Sequence, residues 1–436
     1  MNHSGCLRKS GRRRRDLVGG AEYRLPFRRY LRRRMESVTS ESFLAGADVR
    51  AITPDLATDR VFLAGFDPDR PATGIHDEIM VRTVAFARGS DEPVVFSVCD
   101  LVGLTRVPGA KGRRVVACTH THHAPDGLGF WGQPFEGVSG IDSAYIDRVR
   151  QTVAASQEAA IAALEPAVLL TGSVAVPELV RNLRDVDIVD DELSVLRAER
   201  TDGSVIATFC DYPCHPEVVA KDNTEVTADY AGYLCRAVEA KVGGVAVFAA
   251  GALGGMMSPN TEINTHAESA RFGEELATAV ERAVAGAEPD TAPVVGFVRS
   301  EVSLTLENPL YTLGMEMGLL PAVELHEGSV VTEVSVARIG PAMLASVPGE
   351  LLPKLGLHLK EVMRAAGAEV PVVVGLADDE LGYLLPAEDF TFPEDYLNPG
   401  SQYEESFSVG PTGGPRVVAA VEALIPVVAG SSGVQP

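Results

Sequence analysis

Apolar and polar positions recur in two periods along the chain, alternation for strands and 3.6-residue spacing for helices. Residues 46–54 open the patterned body, 75–87 pass into a strand, and 93–98 form a second strand closed by Asp100. A third apolar run (Val115, Val116, Ala117) breaks into a tight loop with Pro125, Gly127 and Gly129. Residues 141–164 carry Ile146, Val149, Val153, Ala160 and Leu164 at helical spacing, and Pro166 stops the helix. Strands are predicted over 168–176, 193–196 and 205–209, the first two flanking an acidic loop at 181–192. Thr227 caps a helix over 228–240, and 244–251 read as a buried strand. Thr265 and Glu268 form a capping box for a helix to about residue 285. Beyond Pro293 come strands at 294–306, 330–339 and 343–347, a helix over 351–366 and a strand over 370–375. This interleaving, without visible repeat or linker, predicts an α/β fold: one large mixed-sheet domain over 35–436 with flanking helices, its active site in loops at strand ends.

Composition narrows the function. The chain has 436 residues, 46% hydrophobic and 22% charged, with net charge −22. Residues 1–34 hold 12 Lys/Arg against 2 Asp/Glu, so the remainder carries −32. A body that acidic repels nucleic acid and anionic lipid. The basic head is read as a disordered tail or an over-long start; a nucleic-acid arm is the alternative. It has arginine runs at 12–15 and 32–34 but no apolar export core, which points to a cytoplasmic protein. No stretch reaches the ~18 apolar residues of a spanning helix; residues 242–257 come nearest and five glycines break them. The six cysteines form no disulfide framework, and Cys210, Cys214 and His215 lack a second pair to complete a zinc knuckle. The apolar, Met-bearing run at 310–320 is either core, a dimer patch or the wall of an entrance for a greasy substrate.

Chemistry concentrates at residues 118–132 (CTHTHHAPDGLGFWG), where His120, His122 and His123 fall within four residues. On a strand His120 and His122 share a face, and paired imidazoles there suit a metal or a reacting carbonyl. Other strand ends deliver His215, Ser258 and Glu350, and a further loop spans residues 378–383 (DDELGY). Ser258 lacks the G-x-S-x-G elbow of serine hydrolases, so no nucleophile is fixed by local pattern.

Taken in order, THTH-x-x-P (119–125), H-P (215–216), G-x-x-S-P-N (255–260), P-G-E (348–350), Tyr383 and YEES (403–406) resemble the neutral, non-lysosomal ceramidase family over about residues 44–412. That resemblance implies a zinc-dependent amidohydrolase that splits N-acylsphingosine into sphingosine and a fatty acid. It makes His120, His215, Glu350 and Tyr383 the zinc ligands, with His122 on the substrate or oxyanion. It sets Ser258 at the scissile amide, as nucleophile or as hydrogen-bonding partner beside zinc-activated water. A mixed nitrogen and oxygen set around zinc with an open position favours the water route. Departures stand beside these matches. Met256 replaces the family's Asp, the turn after the histidines is Pro125-Asp126-Gly127-Leu128-Gly129, and Asn182 precedes Leu183, so no substrate arginine is assigned. The family's C-terminal β-sandwich is not seen, as in a shorter, stand-alone microbial relative. The expected partner is a lipid-like amide, not nucleic acid. A hydrolase of another amide or ester, and a non-catalytic zinc-stabilised scaffold, are the alternatives.

Overall fold

The computed structural model describes residues 42–106, 112–320, 325–396 and 398–430. The basic head, residues 1–34, lies outside them. Three sheets, one four-stranded and two five-stranded, carry the architecture, and each is built around the same run of four strands. In the first, β1 (Phe43–Ala51) pairs antiparallel with β2 (Met80–Arg88), β2 pairs antiparallel with β3 (Val94–Cys99), and β3 runs parallel to β4 (Arg114–Cys118). Helix α1 (Ser143–Ala162) follows, capped by Asp142 on the Tyr145 amide. The second sheet orders β5 (Val168–Ala175), β6 (Glu192–Glu199) and β7 (Val205–Tyr212) antiparallel; α2 (Asp229–Val242) then crosses over to β8 (Val245–Ala250), parallel to β7. After α3 (His266–Val284) the third sheet begins with β9 (Val295–Thr305). Helix α4 (Pro309–Glu316), β10 (Ser329–Ile339) and β11 (Ala342–Ser346) follow. Helix α5 (Pro353–Ala365) then leads to β12 (Val370–Val374), parallel to β11.

A parallel step needs a crossover, so it sets two C-terminal strand ends side by side with free loops beyond them. Each sheet contributes one such pair. Past β4 come His120 and His122, past β7 His215, past β8 Ser258, past β11 Glu350 and past β12 Tyr383. The ends are laced together: Cys118 N donates to Leu376 O at 3.2 Å and Gly375 N to Ala250 O at 2.9 Å. Behind them one apolar cluster joins the sheets, with Phe86, Phe96 and Val115, then Phe209 and Val247, then Leu344 and Val372. Burying each phenylalanine contributes about 1.5–3 kcal/mol, which makes these loops the rim of a stiff base.

The α/β class and mixed strands are as read from the pattern, but the strands divide among three sheets. Alternation marks where strands are, not which ones pair. The Thr265 half of the capping box holds, its Oγ1 accepting from Glu268 N at 3.2 Å, while the Glu268 carboxylate turns to Thr261 and Arg271. Helix α2 starts one residue later than expected; Thr227 Oγ1 still accepts from Asp229 N at 3.0 Å. A final helix, α6 (Gly413–Ala429), packs its buried valines on the third sheet. Cys210 and Cys214 form no knuckle: both are fully buried, and burial pushes both thiols up and keeps them neutral. Among the described residues no helix is long and apolar enough to cross a membrane.

Candidate active site

Strand β4 stops at Cys118, before the histidines. His120 has φ +67°, and its amide donates to Leu101 O at 2.9 Å. The strand-face argument for His120 and His122 therefore fails, because left-handed backbone breaks the alternation. The rings converge all the same: their centroids lie 4.9 Å apart, with His215 at 5.0 Å from His120 and 5.4 Å from His122.

Hydrogen bonding fixes how these rings point. His120 Nδ1 lies 2.6 Å from Val102 O and His215 Nδ1 2.9 Å from Met257 O. A carbonyl only accepts, so each Nδ1 carries the proton and each Nε2 presents a lone pair. Both Nε2 atoms face one carboxylate oxygen, Glu350 Oε2, at 3.5 Å and 3.2 Å. Three acceptors aimed at one point require positive charge there. Burial would depress His215, yet Glu350 and Glu217 lift it to about 9. Burial would raise Glu350, while His120 and His215 hold it near about 2. A divalent cation fits the donor set better than a shared proton, since two imidazoles and a carboxylate are zinc-type ligands. His120, His122 and His215 also offer nitrogens within 4.8 Å of one another. Tyr383 is brought to the same place by a short parallel pairing, Glu350↔Tyr383 and Leu351↔Leu384. Its Oη donates to Met256 Sδ at 3.6 Å, and burial followed by Glu350 pushes the phenol up.

His122 has a different neighbour. Its Nδ1 stands 3.4 Å from Glu217 Oε2, and the other oxygen, Oε1, accepts from Ser258 Oγ at 2.6 Å. Burial, then the charges of His120 and His215, hold His122 well below the ordinary histidine value, so its ring is neutral. Gly65 makes room for it: at φ +103°, a Cβ there would sit 2.2 Å from His122 Cγ. His123 faces away, its Nε2 2.9 Å from Ala220 O, and buttresses the loop.

The cavity over this cluster is small, ≈ 40 Å³. Its polar floor includes His120, His122, Glu350, Glu380 and Tyr383; Phe130, Trp131, Tyr311, Tyr403 and Phe407 wall it. A water needs about 10–15 Å³ of such volume, so the cavity admits a reacting group and not an alkyl tail. Ser258 is not among the lining residues; it stands behind Glu217. Glu380 lines the cavity with Oε2 unpartnered, and burial followed by Glu350 pushes it well above the usual carboxylate range.

His120, His122, His215, Glu350 and Tyr383 are thus gathered, with Ser258 one side chain removed. Four further residues shape the site without a local motif. Glu217, two residues after His215, follows from the H-P turn only once that turn is known to face inward. Asp126 accepts from Leu128 N, Gly129 N and Trp131 N, each at 2.8 Å, and so sets the aromatic wall. Gly65 shows no pattern in sequence, and Glu380 lies in the 378–383 loop, where nothing sets it apart from its acidic neighbours. Arg184 is held by Glu404 and by Glu405 at 2.8 Å, whereas Arg181 makes an exposed pair with Glu262 at 2.6 Å.

No protein-family model matches the chain, and no curated protein matches it by sequence. Solved structures do match. Neutral ceramidase from Pseudomonas aeruginosa superposes with TM-score 0.73 at 19% identity, over 91% of this chain and 76% of that one. A ceramidase complexed with C2 gives TM-score 0.69 at 18% identity, over 89% and 75%. The six motif segments from THTH to YEES lie within a chain that has a neutral-ceramidase-like fold.

Proposed function

We propose that this protein is a metal-dependent hydrolase of a linear amide on an apolar-tailed molecule of the N-acylsphingosine type, with zinc as the ion. The observation that carries the reading is the convergence of His120 Nε2 and His215 Nε2 on Glu350 Oε2, both Nδ1 atoms being committed to carbonyls. His120, His215 and Glu350 would hold the ion, with Tyr383 as the fourth ligand. When bound, such an ion polarises a carbonyl and lowers the pKa of water toward neutrality.

The protein's own groups do the rest. With Nδ1–H facing Glu217, His122 offers an unprotonated Nε2, suited to accept a proton from the reacting group. Glu217 orients both His122 and Ser258 through its two oxygens. Ser258, hydrogen-bonded and outside the cavity lining, acts as a positioning residue and not as the attacking nucleophile. Glu380 lines the floor with Oε2 unpartnered, a polar group that a reacting carbonyl would meet. The aromatic wall excludes water and accepts the apolar part of the substrate at the mouth.

The second reading, another amide or ester, is favoured by two features: Met256 where the resembled family has Asp, and Arg184 committed to Glu404 and Glu405. Hydrolysis of a fluorescent short-chain ceramide, with and without a chelator and beside a simple fatty-acyl amide, separates the readings. Chelator-sensitive cleavage of the ceramide supports the first, and cleavage of the simple amide alone supports the second. Chelator-resistant cleavage of either rejects the metal.

A further inference from the structure

A second set of ligating side chains lies apart from the cavity. His76 follows the ribbon strand Gly74–Ile75, Glu225 is on its partner Glu225–Val226, and His266 is the first residue of α3. One donor atom from each lies within 4.8 Å of the others. The imidazoles of His76 and His266 stack with centroids 3.5 Å apart and planes within 7°. His266 Nε2 stands 3.7 Å from Glu225 Oε2. Ligands about 2.0–2.2 Å from a tetrahedral zinc ion lie roughly 3.4 Å apart, so a shift of a few tenths of an ångström brings that pair into place, and the two parallel rings must tilt toward each other for both lone pairs to meet one ion.

The backbone already holds these segments together. Glu225 pairs with Gly74 and Val226 with Ile75 in parallel register, and His76 N donates to Val226 O at 2.9 Å. The Thr265 cap fixes where α3 begins. His266 Nδ1 is buried without a hydrogen-bond partner, and Nε2 is the nitrogen that faces Glu225 and can present its lone pair to an ion there. Two imidazoles stacked so closely cannot both carry charge without repulsion, and the neutral ring is the ligating form. Other groups close by are occupied: Tyr233 Oη lies 2.9 Å from His76 Nε2, and Asp77 pairs with Arg236 at 2.9 Å. Stacking alone would account for two histidines; the carboxylate at coordination spacing is what stacking does not need.

We propose that His76, Glu225 and His266 form a second site for a divalent transition cation, zinc being the best match to two imidazoles and one carboxylate. The site is at the surface and supplies three ligands, so water completes the shell and the ion exchanges more readily than one held at Glu350. Bound there, the ion staples the ribbon to the start of α3. Through the segment from Glu225 to Thr227, it braces the loop whose Thr227 amide donates to His123 O.

Equilibrium dialysis of the full chain against graded zinc chloride, with metal counted per chain, tests this. The wild type is expected to bind one equivalent more than a His76→Ala/His266→Ala variant, with unchanged circular dichroism. His215→Ala is expected to retain the exchangeable equivalent, which keeps this result independent of the proposed hydrolase. Should the double variant misfold, Glu225→Gln, isosteric and half-exposed, is expected to weaken the same equivalent at least tenfold. Equal zinc uptake by wild type and the variants overturns the proposal, as does a zinc-soaked crystal whose anomalous peak lies away from these three side chains.

Discussion

Replacing Gly65 by alanine puts one methyl group against the ring of His122 and is the most local perturbation the site allows. The new Cβ would lie 2.2 Å from His122 Cγ, 2.5 Å from Cδ2 and 2.6 Å from its Cβ. All three are inside the ~3.4 Å at which carbon atoms begin to repel, so the ring or the loop must move by about 1 Å. The backbone at φ +103° adds strain that only glycine avoids. Such strain costs about 1–3 kcal/mol, and overpacking adds about 1–3 kcal/mol. Denaturant unfolding should therefore show a loss of about 2–6 kcal/mol. Because a 1 Å displacement near reacting groups costs on the order of 10²-fold in rate, kcat on a short-chain ceramide should fall by that factor. Tightly bound metal should stay, since His122 is outside the proposed ligand set. Activity within twofold of wild type, with stability unchanged, would refute the placement of His122 in the reaction; loss of metal along with activity would make His122 a ligand.

Further expectations concern single groups. Glu217→Gln keeps the shape but removes the charge that Ser258 Oγ and His122 Nδ1 share; kcat should drop on the order of 10²-fold with KM and metal content little changed, and a rise in KM alone would count against its positioning role. Lys360 is 1% exposed with Nζ 2.6 Å from Asp190 Oδ2, so Lys360→Met strands a buried carboxylate and should cost about 3–5 kcal/mol in denaturant unfolding; a loss under about 1 kcal/mol would mean water reaches Asp190. Asp100 is raised by burial to about 6, against an ordinary carboxylate value of 3.8. Between those values the folded state holds the extra proton, so this group's contribution is present at low pH and fades as pH rises from about 4 to 6. Stability of Asp100→Asn relative to wild type should therefore climb over that window, by at most about 3 kcal/mol; a flat difference would show that Asp100 is charged throughout.

The sequence legible at each level differs in kind. Strands such as 330–339 and helices such as 266–284 were visible because burial imposes a period on them, and Thr265 and Glu268 state their own cap. The threefold recurrence of two antiparallel steps and one parallel step left no sequence repeat, since strand order is set by packing between distant segments. Of the site, His120, His215, Glu350 and Tyr383 could be named through motif order, because a reactive group must sit in a loop past a strand. Their convergence depended on three sheets meeting at Phe96, Phe209 and Leu344, which no local pattern encodes. Gly65 and Glu217 act by contact alone, through a missing Cβ and a carboxylate set between His122 and Ser258, and such roles have no spacing to detect. The left-handed turn at His120 is of the same class: the dihedral that aims the ring is fixed by Leu101 O and Val102 O, from the loop that follows β3.

The central claim is that His120, His215 and Glu350 hold one ion, and metal content measures it directly. Protein dialysed until exchangeable metal is removed should retain one tightly held zinc in the wild type and in Ser258→Ala. It should retain none in His215→Ala or in Glu350→Ala, although each variant remains folded by circular dichroism. Stoichiometric, dialysis-resistant zinc in either of those two variants would contradict the account.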